Sequence, residues 1–375
     1  MKILLLSDGN SAHTKRWAIS LKQRGNDLAL FSIARPADTW TEELQIPLFS
    51  PLTYKPGIFS SSLLLKSSFL RLVPSLKKAI RRFQPDVIHA HYASSYGLLG
   101  ALTGFHPLVI SVWGSDILIF PKKNIPAAGI MRFNFRKADA ICSTSRIMVP
   151  AIRKYTRKEV ELVPFGVDTG LFRPFRVERP FEPETFVMGT VKALEPEYGI
   201  DQLIRVFNLV KQRNPDRRIK LLLVGGGRLE RDLRELVTTL GITQDVWFTG
   251  KIPHGEIPRY MNMLDLFVAL SHTESFGVSV LEAASCEKPA VVSDVGGLPE
   301  VVENRKTGLV VRENDIEQAA GAVEELMNNP EMAETLGRNG RIQVEANYNW
   351  DLNVIRMTEI YQRLTEIRGN KYDSL

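Results

Sequence analysis

With 375 residues, 44% of them hydrophobic and 24% charged, the chain is long enough for two α/β domains and has the make-up of a folded globular protein. No run of about 18 apolar residues occurs, which excludes a membrane-spanning helix; Cys142 and Cys286 stand far apart in apolar segments, which excludes a disulfide framework or a cysteine-based metal site. The net charge of +6 is unevenly spread: residues 1–175 carry 24 Lys and Arg against 11 Asp and Glu, residues 176–375 carry 24 against 31, so either the basic half faces an anionic partner or it presents a solvated basic face with no partner.

In chain order, short apolar runs predict strands over Lys2–Ser7, Asp27–Ile33, Asp86–Ala90, Leu108–Val112, Ala140–Ser143 and Val160–Pro164. Met1 leads straight into the first of these with no cleavage site, so the expected location is the cytoplasm. Between the strands, helical patterns cover Lys15–Arg24, stopped by Gly25, and about Ser62 to Phe83, where Pro74 should kink or divide the helix. Pro174, Pro180 and Pro183 mark residues 173–183 as a stiff linker. The pattern then restarts, with strands over Phe186–Val191, Lys220–Val224, Val246–Thr249, Leu266–Leu270, Ala290–Ser293 and Leu309–Val311, and helices over Ile200–Arg213, Leu229–Leu240, Glu256–Met263 and Gly277–Cys286. Helical patterns at Ile316–Asn328, Glu331–Ala346 and Trp350–Ile367 close the chain; with no strand left to cover, the last should reach back to the first domain. The expected division is an acceptor-side domain over 1–172, a linker over 173–183, a donor-binding domain over 184–348 and a crossover helix and tail over 349–375.

In open parallel sheets ligands bind beyond the carboxyl ends of the strands, so the loops there hold the candidate site residues. The first turn, Ser7-Asp8-Gly9-Asn10-Ser11-Ala12-His13, lacks the three-glycine fingerprint, and no dinucleotide cofactor is expected. Residues 271–284 say more. A strand ends, a loop carries Glu274, a helix starts near Gly277 with unpaired N–H groups suited to an anionic or hydroxyl-rich ligand, and Glu282 lies inside an otherwise apolar helix. A buried carboxylate needs partners: a ribose diol supplies two hydroxyl donors, and a neighbouring base would serve equally. For Glu274 the plain alternative is capping the helix.

Glu274 and Glu282 with Phe276-Gly277 and Ala283-Ala284, preceded by Gly250-Lys251-Ile252-Pro253 and followed by residues 288–300 and Thr307-Gly308-Leu309-Val310, resemble the donor-site blocks of retaining glycosyltransferase family 4 in the same order. Pro164-Phe165-Gly166-Val167-Asp168 resembles the family's interdomain stretch, although Phe165 stands where Asn is usual, and His89-Ala90-His91 and Trp113-Gly114-Ser115-Asp116 resemble its acceptor-side loops. The resemblance covers nearly the whole chain. It implies an α/β fold of two Rossmann-like domains facing across a cleft (GT-B), and transfer of a hexosyl or related sugar, with retention, from a nucleotide-diphosphate sugar to a glycan, lipid-linked or small-molecule acceptor.

The same resemblance implies that Glu282 holds the ribose, that Glu274 with Ser275, Phe276 and Gly277 holds the transferred sugar, and that Lys192 stabilises the leaving diphosphate. The family's second basic position is occupied by Tyr198, which leaves Arg228 or Arg231, after Gly225-Gly226-Gly227, as substitutes; Lys251 and Ile252 flank the donor. His91 is expected to meet the transferred sugar or its developing charge, Asp116 to orient the acceptor or act with His91, and Asn10, Ser11 and His13, with Gly9, either to close over the diphosphate or acceptor or to serve as turn residues. His89, within its strand, reads as a core histidine. No metal, no other cofactor and no nucleic-acid partner is implied. The basic, apolar segment 63–83 either packs as an ordinary amphipathic helix or touches anionic lipid at the inner face of the membrane. A nucleotide-sugar-binding protein without transfer activity, a sugar-nucleotide epimerase and a phosphorylase are the competing readings.

Overall fold

The computed structural model describes residues 1–51 and 69–372. They form two compact units, Met1–Pro164 with Asp351–Leu375, and Phe165–Trp350. No helix of the described residues is long and apolar enough to cross a membrane.

The first unit is built on β1 (Lys2–Leu6), β2 (Asp27–Phe31), β3 (Leu48–Phe49), β4 (Val87–His91), β5 (Leu108–Val112), β6 (Ala140–Ser143) and β7 (Val160–Leu162), in the order β3-β2-β1-β4-β5-β6-β7. All pairings are parallel, and helices cover the faces, so side chains on both sides of a strand are buried. That is why Ile3, Leu4, Leu5 and Leu6 form an unbroken apolar run with no exposure. Strand order reverses between β1 and β4, which pair in register Leu6↔Ala90. The loops leaving these two strands therefore open at a topological switch point.

The second unit repeats the plan with β8 (Phe186–Val191), β9 (Ile219–Val224), β10 (Val246–Gly250), β11 (Leu266–Ala269), β12 (Ala290–Ser293) and β13 (Leu309–Val311), in the order β10-β9-β8-β11-β12-β13. Its switch point lies between β8 and β11, joined in register Met188↔Leu266 and Gly189↔Phe267.

Several expected features take a different form. The two-residue edge strand β3 carries too little apolar pattern to be legible. Of the helix expected over 62–83, the described residues show a 3₁₀ turn, Phe69–Leu72, followed by a helix that begins at Val73, so the pattern is divided here and Pro74 sits in the new helix's first turn, where a missing N–H costs nothing. That helix buries Leu76 and Ala79 and exposes Lys77, Lys78, Arg81 and Arg82; residues 63–68 of the basic segment lie outside the described residues. Residues 165–183, which include the stiff segment 173–183, group with the second unit. The Arg179 guanidinium grips Asp265 through two hydrogen bonds of 3.0 and 2.5 Å, and the same carboxylate accepts from Val187 N at the start of β8.

The last helix, Trp350–Tyr372, returns to the first unit as expected. Val354, Met357, Ile360 and Tyr361 form its buried stripe, and Arg24 and Asp351 pair at 3.0 Å. Tyr361 reaches the back of β4, where its hydroxyl lies 2.5 Å from Nδ1 of His89.

Candidate functional site

In the second unit, Lys192 follows β8 and Glu274 lies in the loop after β11, so the sheet brings together two residues from opposite sides of the switch point. Their side chains form an ion pair, each only 11% exposed. The Lys192 ammonium also stands 4.5 Å from the centroid of the Tyr198 ring. The residue in place of an expected second cation thus offers the first one a π face.

Backbone contacts fix both loops. His272 N and Thr273 N donate to Glu197 O, at 2.9 and 3.1 Å, lacing the loop after β11 to the loop after β8. Gly297 N donates to Glu274 O, and a Cβ on neighbouring Gly296, at φ +54°, would fall 1.8 Å from that oxygen. Gly225 has φ +141°, and a Cβ there would fall 1.9 Å from Lys192 O. The glycine triplet is accordingly both a strand-to-helix turn and the surface on which the Lys192 backbone rests.

Around the switch point the hydroxyls of Thr190, Ser271 and Ser279 are buried without a hydrogen-bond partner among the described residues. The helix Val278–Ser285 starts at Gly277 with no side-chain cap, so Glu274 does not cap it, and its first N–H groups stay available beside Ser275 and Phe276. Phe276 is buried and meets Phe165 and Tyr348 edge-on, which sets the entry angle of the loop.

Glu282 is buried on this helix, 3.4 Å through Oε1 from Nε2 of His254. His254 was not among the sequence candidates. Its signal was present, because a carboxylate in an apolar helix demands a partner and a histidine follows Lys251-Ile252-Pro253 directly. The His254 ring leans on Phe172 with centroids 5.5 Å apart, and its side chain is more than half exposed.

The remaining donor-side candidates separate clearly. Arg228 reaches the loop after β8, with Nε 2.7 Å from Glu195 Oε2 and Nη2 3.9 Å from Glu197 Oε2. Arg231 is 85% exposed and pairs with Asp232 and Glu235 of its own helix, so it is not brought to Lys192. Lys251 is exposed, its stem beside Gly226, and Ile252 is half-buried.

In the first unit, His91 is the last residue of β4 and is buried; Nδ1 lies 3.0 Å from Ser7 Oγ, which in turn lies 2.6 Å from Thr14 Oγ1. Its Nε2 is buried without a hydrogen-bond partner among the described residues. The ring lies 4.6 Å from Trp113 and 4.4 Å from His89, centroid to centroid. Burial, then the charges of His89 and His13, hold the His91 pKa well below its usual value, and burial alone lowers that of His89 to about 3. Both rings are neutral near pH 7.

Asp116 is buried, and its carboxylate accepts from Ala93 N at 2.7 Å, Gly114 N at 2.8 Å and Trp113 N at 3.2 Å. Desolvation raises its pKa while these backbone bonds oppose the rise. Those bonds clamp the loop after β5 to the loop after β4, a use of the carboxylate different from orienting an acceptor or acting with His91. Asn10 is likewise engaged, accepting from Ala37 N and donating to Asp8, while Gly9 accepts from Trp40 Nε1 and donates to Ser32 Oγ.

Comparison with known proteins adds the family. Residues 2–145 match the family described as Glycosyl transferase 4-like, and residues 173–343 match Glycosyl transferases group 1. A GDP-mannose-dependent alpha-(1-6)-phosphatidylinositol monomannoside mannosyltransferase of Mycolicibacterium smegmatis is 32% identical over 59% of this chain and 63% of its own length. The chain thus spans somewhat less than two thirds of that relative. An N-acetyl-alpha-D-glucosaminyl L-malate synthase of Bacillus anthracis is 27% identical over 78% of each chain. In fold, sucrose-phosphate synthase of Thermosynechococcus elongatus matches with a TM-score of 0.82 at 22% identity, covering 98% of this chain and 100% of that one. Anabaena HepE in complex with UDP matches with a TM-score of 0.79 at 20% identity, covering 97% and 100%.

Proposed function

Because the chain belongs to the family-4-like, group 1 glycosyltransferases, matched through both of its halves, we propose that it transfers a sugar from a nucleotide-diphosphate donor to a glycan, lipid-linked or small-molecule acceptor. The observation that carries this reading is the shielded Lys192–Glu274 pair at the switch point of the second unit. Donor binding parts the two. Glu274 turns to hydroxyls of the transferred sugar, and Lys192 turns to the β-phosphate. The bond from the anomeric carbon to the phosphate oxygen breaks as the acceptor oxygen bonds to that carbon, and the acceptor proton passes to a phosphate oxygen. The nucleoside diphosphate leaves carrying new negative charge, which a fixed cation in a water-poor site stabilises most.

Glu282 accepts from the ribose hydroxyls, with His254 beside it to hold the carboxylate. The uncapped helix start at Gly277 and the unpartnered hydroxyls of Thr190, Ser271 and Ser279 add donors for a polyol. On the first unit the Nε2 of His91, which has no hydrogen-bond partner among the described residues, meets a polar group of the substrate as a neutral imidazole, and Asp116 acts by holding its loop. Among the described residues we assign no side chain as a nucleophile, and the reading we favour is displacement on the front face, assisted by the leaving phosphate, with retention. A product of inverted configuration would refute that part. The exposed cations of the helix Val73–Phe83 support contact with anionic lipid, which low-salt sedimentation with anionic against neutral vesicles tests.

Thermal stabilisation by a panel of UDP-, GDP- and ADP-sugars identifies the donor. With it, Glu282→Ala should fold and bind the donor more weakly by about 1.5–3 kcal/mol, the worth of hydrogen bonds to a charged acceptor. Stabilisation by none of the panel, or undiminished binding by a folded Glu282→Ala protein, defeats the assignment.

A further inference from the structure

A concavity of about 650 Å³ lies in the first unit, away from the residues discussed above. One wall is the helix Ile125–Lys137, whose Gly129, Arg132, Phe133 and Arg136 share a face because their spacing follows the helical turn. The other is the turn between the helix Val149–Arg153 and β7, with Tyr155, Arg157 and Lys158. The Arg132 guanidinium lies 5.6 Å from the Tyr155 ring centroid and that of Arg136 lies 5.8 Å from the Phe133 centroid, so both planes are partly pre-set. Lys158 Nζ donates to Arg136 O at 2.9 Å and to Ala138 O, tying the turn to the end of the helix.

Four cations line this groove and no carboxylate does. Residues 125–158 carry eight Lys and Arg against one acid, Asp139. Asp139 is engaged with His106 at 2.8 Å and with Leu108 N and acts electrostatically on Lys158, Glu159 follows that lysine, and Glu161 is held by Arg363, so it is the three arginines that lack a counter-charge. Among the described residues, Arg132, Arg136 and Arg157 have no ion-pair partner. In the second unit, by contrast, Arg213, Arg228, Arg234, Arg305 and Arg341 each hold a carboxylate. Like charges gathered without counter-charge repel one another, and a bound anion removes that cost. Ala138 and Lys158 precede β6 and β7, so the groove stands at the amino ends of the strands, while His91 and Trp113 stand at the carboxyl ends of β4 and β5.

We propose that this groove is a second binding site, separate from the sugar-transfer residues, for a ligand bearing phosphate groups. Guanidinium forks match phosphate oxygens two at a time, and the Phe133 and Tyr155 rings floor the site beside them. The phosphate is either that of a soluble ligand or that of a lipid headgroup. The full chain, in a Lys192→Ala background that silences diphosphate binding at the donor residues, is titrated with inorganic pyrophosphate and sedimented with vesicles of phosphatidylglycerol against phosphatidylcholine. Arg132→Ala/Arg136→Ala should keep the parent's melting temperature and bind the responding probe at least tenfold more weakly; Arg132→Lys/Arg136→Lys should keep more of it. Loss confined to pyrophosphate assigns a soluble ligand, and loss confined to anionic vesicles assigns a headgroup. A parent that binds neither probe, or binding indifferent to both arginines, overturns the proposal.

Discussion

The two switch points of this molecule are built on the same strand order but filled with opposite chemistry. In the second unit a cation and a carboxylate meet on a shielded floor, Lys192 with Glu274, and a second carboxylate, Glu282, is buried beside His254. In the first unit the corresponding edge is neutral: His89 and His91 are stripped of their charge by burial, and the charge of Asp116 is satisfied by three backbone N–H groups. One sheet topology thus supports either an ionic or a dipolar site, and the choice rests on a few loop residues. Under the proposed function, a leaving diphosphate calls for the ionic kind, whereas an acceptor hydroxyl is better met by neutral groups that position it without trapping it.

The sharpest way to break this contrast is to remove the charge from the ionic side. Lys192→Ala should lower turnover by roughly 10²–10³-fold, the scale on which one preorganised transition-state donor is worth. Steady-state rates on a protein of unchanged melting temperature check it, and undiminished turnover would transfer the role to Arg228, the other basic group at that loop.

Acid tests the neutral side. Because the folded pKa of His89, about 3, lies below the usual value of 6.5, the unfolded chain takes up the proton first as pH falls. The stability that the neutral ring contributes is complete above pH 6.5 and drains away toward pH 3, by up to about 1.4 kcal/mol per pH unit. Denaturant titrations at successive pH values should show this slope, and His89→Asn should flatten it. An equal slope in that variant would mean that other groups carry it.

A smaller effect probes what holds the neutral site from behind. Tyr361→Phe deletes the hydroxyl facing His89 Nδ1 and leaves a buried ring nitrogen unpaired, at a cost of about 1–3 kcal/mol. Equilibrium unfolding measures it; a variant as stable as the parent would show that the bond contributes nothing net.

How much of this was legible beforehand differs from residue to residue. Strand ends at Val112, Ser143, Val191, Ser293 and Val311 follow directly from apolar runs, because a parallel strand buried on both faces must be apolar throughout. Glu282 stands out locally, as a charge inside an apolar helix, while Lys192 and Glu274 gain their expected roles from the resemblance of the surrounding blocks to the family. Arg228 and Arg231 could not be told apart, since three residues of sequence separation say nothing about which carboxylate each finds. The bland appearance of Pro258 to Leu270 likewise gave no hint that Asp265 would anchor the supposed linker through Arg179.

The two-fold repetition of a parallel α/β plan and the return of the last helix can be read from the residues, because they depend on period, composition and neighbours within a turn or two, whereas the roles expected of Lys192, Glu274 and Glu282 come from the resemblance of their blocks to the family. Which of those residues meet is set by packing. Lys192 and Glu274, 82 residues apart, touch because strand order, not chain order, sets the neighbours at the carboxyl ends of a sheet, and His89 and Tyr361, 272 residues apart, touch because the last helix packs back onto the first sheet. Packing also decided that Asp116 would spend its carboxylate on backbone N–H groups and that Glu282 would find His254: a buried charge takes whichever partner the fold places within about 3 Å, and short-range patterns carry no record of that distance.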